Sequence, residues 1–451
     1  MIVIKRRLIF WLVRAYLKRW GRILFVCFLC GLGIFFLLKS SFPYIIAAFT
    51  GVSKETDGIA GIYTLNTLPN TVVKDISKGL TKIDDAGVPK PDIASSWDIK
   101  DSGKTYVFHL KKGLYFVDGT PLTSKEIQFT FADVKTERPD SSTIIFKLKD
   151  SYSPFLTTVS RPIFKEGYVG IGPYRIKKVQ SNGPFLQSLT LTSATQNPAL
   201  KIYVFYPTQD SLKVAFALGE VTTAVNLSDI TFQKTSFDKY PHTHIIKSTN
   251  YNVLIALFYN SQDKNLSDKK LRDAFSYALP NTFSQGERAV SSIPPFSNYY
   301  NNGIDRKQDF THANLLLEAS LGSDAASYPK LTISTLAKYK FIAIEIQKVW
   351  KQLHIATDIK VVDSIPQVFQ VYLGDFTVPQ DPDQYTLWHS FQENNITAFK
   401  STRIDTLLED GRKTNDTKER VRIYQDFQKY LQDEQPASFL YFPYNYSVSR
   451  K

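Results

Sequence analysis

The chain has 451 residues, of which 43% are hydrophobic and 22% charged, so it is long enough for two or three globular units and too apolar for a disordered tail. Its two cysteines, Cys27 and Cys30, exclude a disulfide scaffold and a four-cysteine zinc module. The net charge of +13 is largely local, because residues 1–50 carry eight basic side chains and no acidic one. The rest of the chain lacks basic residues interleaved with aromatic ones, so we expect no nucleic-acid partner.

The first predicted element is a membrane anchor. Residues 23–38 form an unbroken apolar run of 16, which as a helix would be about 24 Å long against a hydrocarbon core of about 30 Å. The basic residues precede this run, so the positive-inside rule places the N-terminus in the cytoplasm. We predict a cytoplasmic basic segment at 1–22, a transmembrane helix at 23–45 and a linker at 46–57, with the remainder extracytoplasmic and the whole chain a single-pass membrane protein.

Two alternatives to an uncleaved anchor stay open. A cleaved signal peptide would end in a small-residue site, to which residues 45–48 are a poor match. A lipoprotein would have a small residue before its cysteine, where Val26 stands before Cys27. The basic residues within 5–22 either only set the topology or form a basic helix on the inner leaflet.

Strand-like and helix-like stretches alternate after the linker, which predicts an α/β fold. Residues 105–110 alternate with period two and are typical of a strand with one buried face. Thr123 and Glu126 form a capping-box pattern, which predicts a helix that carries Ile127 and Phe131 inward.

Later helices are predicted by caps and by apolar stripes. Asp268 caps one helix, and another begins at Thr311 and ends at Gly322. Two further helices have apolar stripes, formed by Ile342, Ile346, Val349, Trp350 and Leu353 in one and by Val421, Tyr424, Phe427 and Leu431 in the other.

A search for catalytic motifs finds none of the common ones. The chain has no P-loop, no HExxH and no GxSxG, so we predict that it is not an enzyme and has no catalytic residues, no cofactor and no metal site. His242 and His244 have no third metal ligand at recognisable spacing. Asp381 and Asp383 flank Pro382, a pattern that favours a turn over a general acid and base.

Several motifs in a fixed order resemble one family. The segment from residue 87 to 123 contains GVPKPDIASSW, then TYVFHLKKG and then FVDGTPLT. Further matches lie at residues 170–174 (GIGPY), 216–220, 259–278, 347–355, 381–383 (DPD) and 420–436. Over about residues 60–445 the chain resembles the extracytoplasmic solute-binding proteins of ABC importers, in the peptide/nickel-binding family of oligopeptide- and dipeptide-binding type.

This resemblance implies a two-lobed, periplasmic-binding-protein-like (class II) fold with hinge strands, here preceded by one transmembrane helix. Lobe I with an inserted subdomain would cover residues 58–252, lobe II residues 253–436, and a return strand to lobe I residues 437–451. The two crossings would lie at 254–260 and 439–443.

The resemblance also implies a function. The chain would bind peptides or similar small solutes between its lobes and deliver them to the permease subunits of an ABC importer, and we expect a monomer. Residues 61–65 would take the place of the first binding strand and residues 380–385 that of the facing loop. The predicted ligand contacts are Ile62, Tyr63, Thr64, Tyr259, Asn260, Gln380, Asp381, Gln384, Tyr385 and Trp388.

The chain also departs from the family pattern. Val378 stands where peptide-binding members have an acid that anchors the amino group of the peptide, and the family continues further after residue 441. A ligand-sensing or scaffold protein of the same fold without a transport role is therefore an alternative. A surface hydrolase is a weaker alternative, because the sequence has no nucleophile–histidine motif.

Overall fold

The computed structural model describes residues 53–194, 199–324 and 328–450, together with positions 11, 14 and 18–21. The predicted transmembrane helix lies outside the described residues, as does most of the predicted cytoplasmic segment. Among the helices that are described, none combines the length and the apolar character needed to cross a membrane.

Strands and helices alternate along the chain, as predicted. The strands are β1 (Ser53–Ala60), β2 (Thr81–Ile83), β3 (Pro89–Pro91), β4 (Ala94–Lys100), β5 (Thr105–Leu110), β6 (Val134–Asp140), β7 (Thr143–Leu148), β8 (Tyr174–Asn182), β9 (Phe185–Ser193), β10 (Ala199–Tyr206), β11 (Thr223–Leu227), β12 (Thr231–Phe232), β13 (Thr235–Ser236), β14 (Thr243–Thr249), β15 (Val253–Tyr259), β16 (Gly286–Arg288), β17 (Leu331–Leu336), β18 (Thr357–Val362), β19 (Val371–Thr377) and β20 (Ala437–Arg450). From residue 53 onward the helices are α1 (Asn70–Ile76), α2 (Phe155–Thr158), α3 (Gln209–Leu218), α4 (Lys269–Tyr277), α5 (Phe310–Leu321), α6 (Lys340–Lys351), α7 (Tyr385–Trp388), α8 (Thr402–Lys413) and α9 (Thr417–Glu434).

One mixed sheet runs through two lobes. Its strand order is β18-β17-β19-β15-β20-β11-β1-β10-β9-β8, and β14 and β16 also pair with β20. The long strand β20 pairs with β15 through residues 437–441 and with β14 through residues 444–450. We call residues 53–249 with 444–450 lobe I, and residues 253–441 lobe II, so β20 belongs to both.

The lobes are joined at two adjacent crossings, residues 250–252 and 442–443. The backbone N–H of Asn250 donates to the carbonyl of Pro443 at 2.8 Å, which ties the two crossings together. The predicted return at 439–443 contains the second crossing. The predicted first crossing at 254–260 was wrong, because β15 pairs with β19 along its whole length and lies entirely in lobe II.

The core of lobe II covers both faces of β15. Ile255, Leu257 and Tyr259 pack on one face with α4, α5 and α6, and the alternate residues pack on the other face with α8 and α9. Burial on both faces explains why the β15 sequence VLIALFY is continuously apolar. Each fully buried leucine or isoleucine of this strand contributes about 1.5–3 kcal/mol to folding.

The predicted helices of lobe II are confirmed, with one shift. Asp268 accepts a hydrogen bond from the Lys270 N–H at 2.9 Å and caps α4. Helix α5 ends at Gly322 as predicted, but it begins at Phe310 and is capped by Asp309. The two predicted stripes are the buried faces of α6 and α9.

A four-stranded subdomain is inserted into lobe I. Its strand order is β4-β5-β7-β6, and an aromatic-rich core packs beneath it. The subdomain also contacts lobe II, since Ser153 N–H donates to the Arg412 carbonyl at 2.6 Å and the Tyr106 hydroxyl donates to Asn415 Oδ1 at 3.1 Å.

Two local predictions in lobe I were wrong. No helix follows Thr123, although its N–H donates to the Glu126 carboxylate at 2.9 Å as in a capping box. The Arg138 guanidinium donates to the carbonyls of Ser124 and Ile127, both at 2.7 Å, and these contacts hold the segment in a non-helical path. The predicted linker at 46–57 is also too long, because β1 starts at Ser53 and pairs with β10 from its first residue. The other predicted domain limits stay predictions.

Candidate functional site

A cavity of about 540 Å³ lies between the lobes at the hinge. Pockets of about 300–1,000 Å³ are typical of small-molecule sites. Lobe I lines it with Pro69, Asn70, Thr71, Lys74, Ile83, Asp84, Asp85, Gly87, Asn226, Thr249 and Asn445. The crossing contributes Asn250, Tyr251 and Asn252, and lobe II contributes Ile293, Pro294, Phe296, Ser297, Val378, Pro379, Gln380, Pro382 and Gln384.

The fold brings these residues together at strand ends. Asn226 lies near the end of β11, Thr249 ends β14, and residues 378–384 follow β19. Ligands of open α/β sheets bind beyond strand ends at such places, because the loops there leave a crevice.

The lobes touch at the rim of the cavity. The turn between β2 and β3 reaches lobe II, where the Asn298 N–H donates to the Ala86 carbonyl at 3.2 Å. Gly87 in the same turn has φ +79°, and a Cβ at this position would lie 3.2 Å from the Gln380 carbonyl. The two lobes are therefore in contact at this part of the rim, and the cavity lies between them.

An aromatic pair forms part of the cavity wall next to the hinge. The rings of Tyr251 and Phe296 meet edge to face with centroids 4.6 Å apart. The Tyr251 hydroxyl donates to Glu287 at 2.6 Å, and Glu287 also accepts from the Thr249 hydroxyl at 3.1 Å. Burial and the neighbouring Glu287 carboxylate raise the pKa of Tyr251 to about 12, so its hydroxyl is neutral at physiological pH.

Side-chain amides are the commonest polar groups of the wall. They belong to Asn70, Asn226, Asn250, Asn252, Asn445, Gln380 and Gln384. An amide both donates and accepts hydrogen bonds, and so it can pair with a peptide group in either direction. The wall thus combines amides for a polar backbone with aromatic and aliphatic groups for apolar side chains.

Sequence comparison assigns the family. Residues 88–398, about two-thirds of the chain, match the family described as bacterial extracellular solute-binding proteins, family 5, middle region. The chain belongs to family 5. It is thereby placed among extracellular solute-binding proteins, a class of binding proteins rather than enzymes.

Relatives and solved structures agree with this assignment. The oligopeptide-binding protein AppA of Bacillus subtilis is 24% identical over 85% of this chain and 84% of its own length. The ABC transporter substrate-binding protein CtaP of Listeria monocytogenes superposes with a TM-score of 0.75 at 22% identity, over 88% of this chain and 94% of its own. The structure of B. subtilis AppA in complex with a nonapeptide gives a TM-score of 0.66 at 19% identity, over 89% and 95% of the two chains. The two-lobed mixed α/β fold predicted from the sequence is confirmed.

Two of the predicted ligand contacts, Gln380 and Gln384, line the cavity of this family 5 protein. Gln380 is exposed on the loop after β19. Gln384 is buried, donates to the Ser292 carbonyl at 3.1 Å and accepts from the Trp388 indole N–H at 2.9 Å. Both ends of the Gln384 amide are thus engaged within lobe II, and its main role there is to shape the wall.

Asp381 lies behind the wall in a buried ion pair. Arg420 binds its two carboxylate oxygens at 2.6 and 3.0 Å and also donates to the Tyr299 hydroxyl at 3.2 Å. From lobe I the Thr157 hydroxyl approaches Asp381 at 3.5 Å. The residue is not among those that line the cavity.

Tyr385 and Trp388, on α7, also lie in lobe II outside the cavity lining. The Arg412 guanidinium lies 4.0 Å from the centroid of the Tyr385 ring. Trp388 is buried among the aromatic side chains under the sheet, including Phe258 and Phe439.

The predicted ligand contacts near the ends of β1 and β15 are also not among the residues that line the cavity. Ile62 is 65% exposed, and the Tyr63 hydroxyl turns back to the Ala60 carbonyl at 3.2 Å. The segment with Thr64 leads into a 3₁₀ turn at Leu65–Thr67 rather than a strand.

Tyr259 and Asn260 make contacts inside lobe II. The Tyr259 hydroxyl is fully buried against the Ser438 hydroxyl at 2.7 Å. The Asn260 amide donates to the Phe369 carbonyl at 2.9 Å.

Four wall segments were missed by reasoning from the sequence: residues 69–74 at the start of α1, the turn at 84–87, the crossing at 250–252 and the loop at 293–297. The turn had a local signal, because Asp84 and Asp85 stand before Gly87 and such residues favour tight turns. The other three segments have no chemical motif and are recognisable only once the fold places them side by side. Among the residues described, no group of three or more histidine, cysteine, aspartate or glutamate side chains could hold a metal ion.

Proposed function

We propose that this protein is the solute receptor of an ABC importer and that it binds peptides in the cavity between its lobes. The observation that carries the proposal is the cavity between the lobes at the hinge, whose size suits a small ligand and whose wall is rich in amides. Family membership supports the receptor role, and the printed names of relatives such as the oligopeptide-binding protein AppA support peptide as the ligand.

The chemistry of the wall supports a peptide in particular. A peptide backbone alternates N–H and C=O groups, which asparagine and glutamine side chains can match without regard to sequence. The side chains of the peptide would lie against Tyr251, Phe296 and the aliphatic residues near them. Ordered water would fill the rest, as is common in polar sites.

The proposal includes a cellular arrangement that lies outside the described residues. Residues 1–22 would lie in the cytoplasm, and residues 23–45 would tether the chain as a single-pass anchor. The two lobes would face outward as a monomer and deliver the ligand to the permease subunits. Support for this arrangement is the apolar run with basic residues only on its N-terminal side.

Calorimetry on the full chain in detergent tests the proposal. Titration with a mixture of tri- and tetrapeptides should give saturable heat, whereas the same amino acids in free form should give little. Phe296→Ala should weaken peptide binding about tenfold, because a packed aromatic contact contributes about 1–2 kcal/mol. The matched control is Phe391→Ala, which removes an exposed ring of lobe II that does not line the cavity and should leave affinity unchanged.

One observation favours the second candidate, a sensor or scaffold of the same fold. Val378 stands at the position of the expected acidic anchor, is 5% exposed and lines the cavity as an apolar group. If no peptide mixture gives saturable binding to the wild-type chain, the peptide receptor is contradicted and this candidate is favoured.

A further inference from the structure

A small pocket lies inside lobe II, apart from the cavity between the lobes. Its volume is about 10 Å³, which is room for about one sphere of the size of a water molecule. It shares no lining residue with the larger cavity. Helices α4 and α9 and strands β16 and β20 contribute to its wall, and its charged lining residues are two arginines, Arg288 and Arg306.

Arg288, at the end of β16, has no acidic partner. Its Nη1 donates to the Phe439 and Leu440 carbonyls of β20 at 2.5 and 3.0 Å. Its Nε is buried and has no hydrogen-bond partner among the described residues. Burial and the nearby positive charge of Arg306 lower the pKa of Arg288 to about 10, so its guanidinium is still charged at neutral pH.

Arg306 is paired on one side only. Its side chain is 8% exposed, and its Nη2 lies 3.4 Å from the Asp273 carboxylate and donates to Gln435 Oε1 at 3.3 Å. One face of the guanidinium lies on the Tyr277 ring, 4.0 Å from the centroid. The other two nitrogens, Nε and Nη1, are buried and have no hydrogen-bond partner in the part of the chain that the structure describes.

The wall of the pocket thus has an unbalanced charge. Two buried guanidiniums share one carboxylate, that of Asp273, and three of their nitrogens have no acceptor among the described residues. A buried charged donor without a partner is costly, and so is a second like charge beside it. Water could accept these hydrogen bonds but would leave the positive charge in place. An anion would satisfy both requirements.

We propose that this pocket binds one monatomic anion, chloride, between the guanidiniums of Arg288 and Arg306. Charge-assisted hydrogen bonds from both side chains would hold it. The volume of the pocket suits a single ion and is too small for phosphate or for an organic carboxylate. Since Arg288 also binds β20 just before the crossing at 442–443, the anion would stabilise the lobe II end of that crossing. This site is independent of the ligand in the cavity between the lobes.

The test measures the dependence of stability on chloride, with the full chain in detergent at constant ionic strength. Replacing sodium gluconate by sodium chloride should raise the midpoint of thermal unfolding by about 2–4 °C and then saturate. The NMR line of chloride should broaden in the presence of the protein and narrow again when bromide competes for the site. Arg288→Met, which leaves the pair of Arg306 with Asp273 in place, should lose both effects.

Two further variants keep the test decisive. Arg306→Met should also lose both chloride effects, whatever its own unfolding midpoint. Arg422→Met is the matched control, because that side chain is 76% exposed and does not line the pocket, so both effects should persist. If the wild type has the same midpoint in gluconate and chloride, and bromide does not narrow the chloride line, water fills the pocket and the proposal is wrong. Chloride effects that persist in both Arg288→Met and Arg306→Met would place the anion elsewhere and overturn it.

Discussion

The two lobes bury their carboxylates in different ways. In lobe II Asp381 pairs with Arg420 through two short hydrogen bonds, one acid with one base. In lobe I Asp57 lies 3.9 Å from the Lys201 ammonium group, which lies 3.0 Å from Asp75, so two acids share one base. One carboxylate oxygen of Asp57 has no hydrogen-bond partner within the described residues.

This difference separates a charge that holds the structure from one that costs stability. Asp381 lies directly beside Gln380 and Pro382, which line the cavity, so its pairing with Arg420 fixes that part of the lobe II wall. Asp57 lies in the middle of β1 and is surrounded by Glu55, Asp75 and a single lysine. The buried Asp381 charge therefore organises the site in lobe II, whereas the buried Asp57 charge opposes folding in lobe I.

The largest expected effect comes from breaking the pair in lobe II. Arg420→Met should lower the free energy of unfolding by about 3–5 kcal/mol, because it leaves the Asp381 charge buried without a partner. Urea unfolding monitored by tryptophan fluorescence measures this change in the free energy of unfolding.

Arg422→Met is the matched control on the same helix. The Arg422 side chain is 76% exposed and pairs with Glu419 at the surface, so its loss should cost less than about 0.5 kcal/mol. Equal losses in the two variants would mean that the buried pair has no special role in holding the wall.

A smaller effect of opposite sign is expected in lobe I. Burial and repulsion by Glu55, partly offset by Lys201, raise the pKa of Asp57 to about 6. The folded chain therefore keeps this proton between about pH 4 and 6, where the unfolded chain has lost it, so stability falls as the pH rises through this window. Asp57→Asn removes the charge and should raise the free energy of unfolding at pH 7.5 by on the order of 1–2 kcal/mol.

Unfolding curves at pH 5.0 and 7.5 check the direction in which the stability effect of Asp57→Asn changes with pH. The advantage of Asp57→Asn over the wild type should shrink at the lower pH, because the wild-type carboxyl is then largely protonated. An advantage that is absent at pH 7.5 would show that Lys201 compensates the Asp57 charge, and one that is larger at pH 5.0 than at pH 7.5 would contradict a raised pKa.

The smallest effect concerns the contact where the lobes meet. Gly87→Ala adds a Cβ 3.2 Å from the Gln380 carbonyl at a residue with positive φ. Gly113→Ala has the same backbone strain, at φ +72°, but no atom within 4 Å of the added Cβ. Both variants should lose about 1 kcal/mol of stability.

Only Gly87→Ala should also weaken ligand binding, by a few-fold in calorimetry, because only it hinders closure. Equal affinities for the two variants would argue that the contact between the turn and lobe II does not contribute to closure.

The sequence predicts the architecture better than the site. Local patterns were sufficient for α4, α9 and β5, because caps and apolar periodicity act within one element. They failed after Thr123, where Arg138, 14 residues after Ser124 and 11 after Ile127, binds the carbonyls of both and holds the segment in a non-helical path. Tertiary contacts of this kind cannot be read from a local pattern.

Tertiary contacts limit the prediction of the site even more than that of the fold. The DPD motif led to Asp381 as a ligand contact, but Arg420, 39 residues later, draws its carboxylate into an ion pair inside lobe II. Gln380, next to it, has no such partner and lines the cavity. The wall at Asn250 and Phe296 depends on how two crossings meet, which only the assembled sheet determines.

The central claim is that the ligand binds in the cavity between the lobes, and from this we expect its exchange to require the lobes to separate. The most direct measurement uses a disulfide between Ala86→Cys and Asn298→Cys, two positions whose backbones share a hydrogen bond across the rim. Cys27 and Cys30 are replaced by serine to leave one reactive pair. The oxidised protein should neither take up nor release a labelled peptide, and reduction should restore exchange. Equal exchange rates before and after reduction would contradict the account.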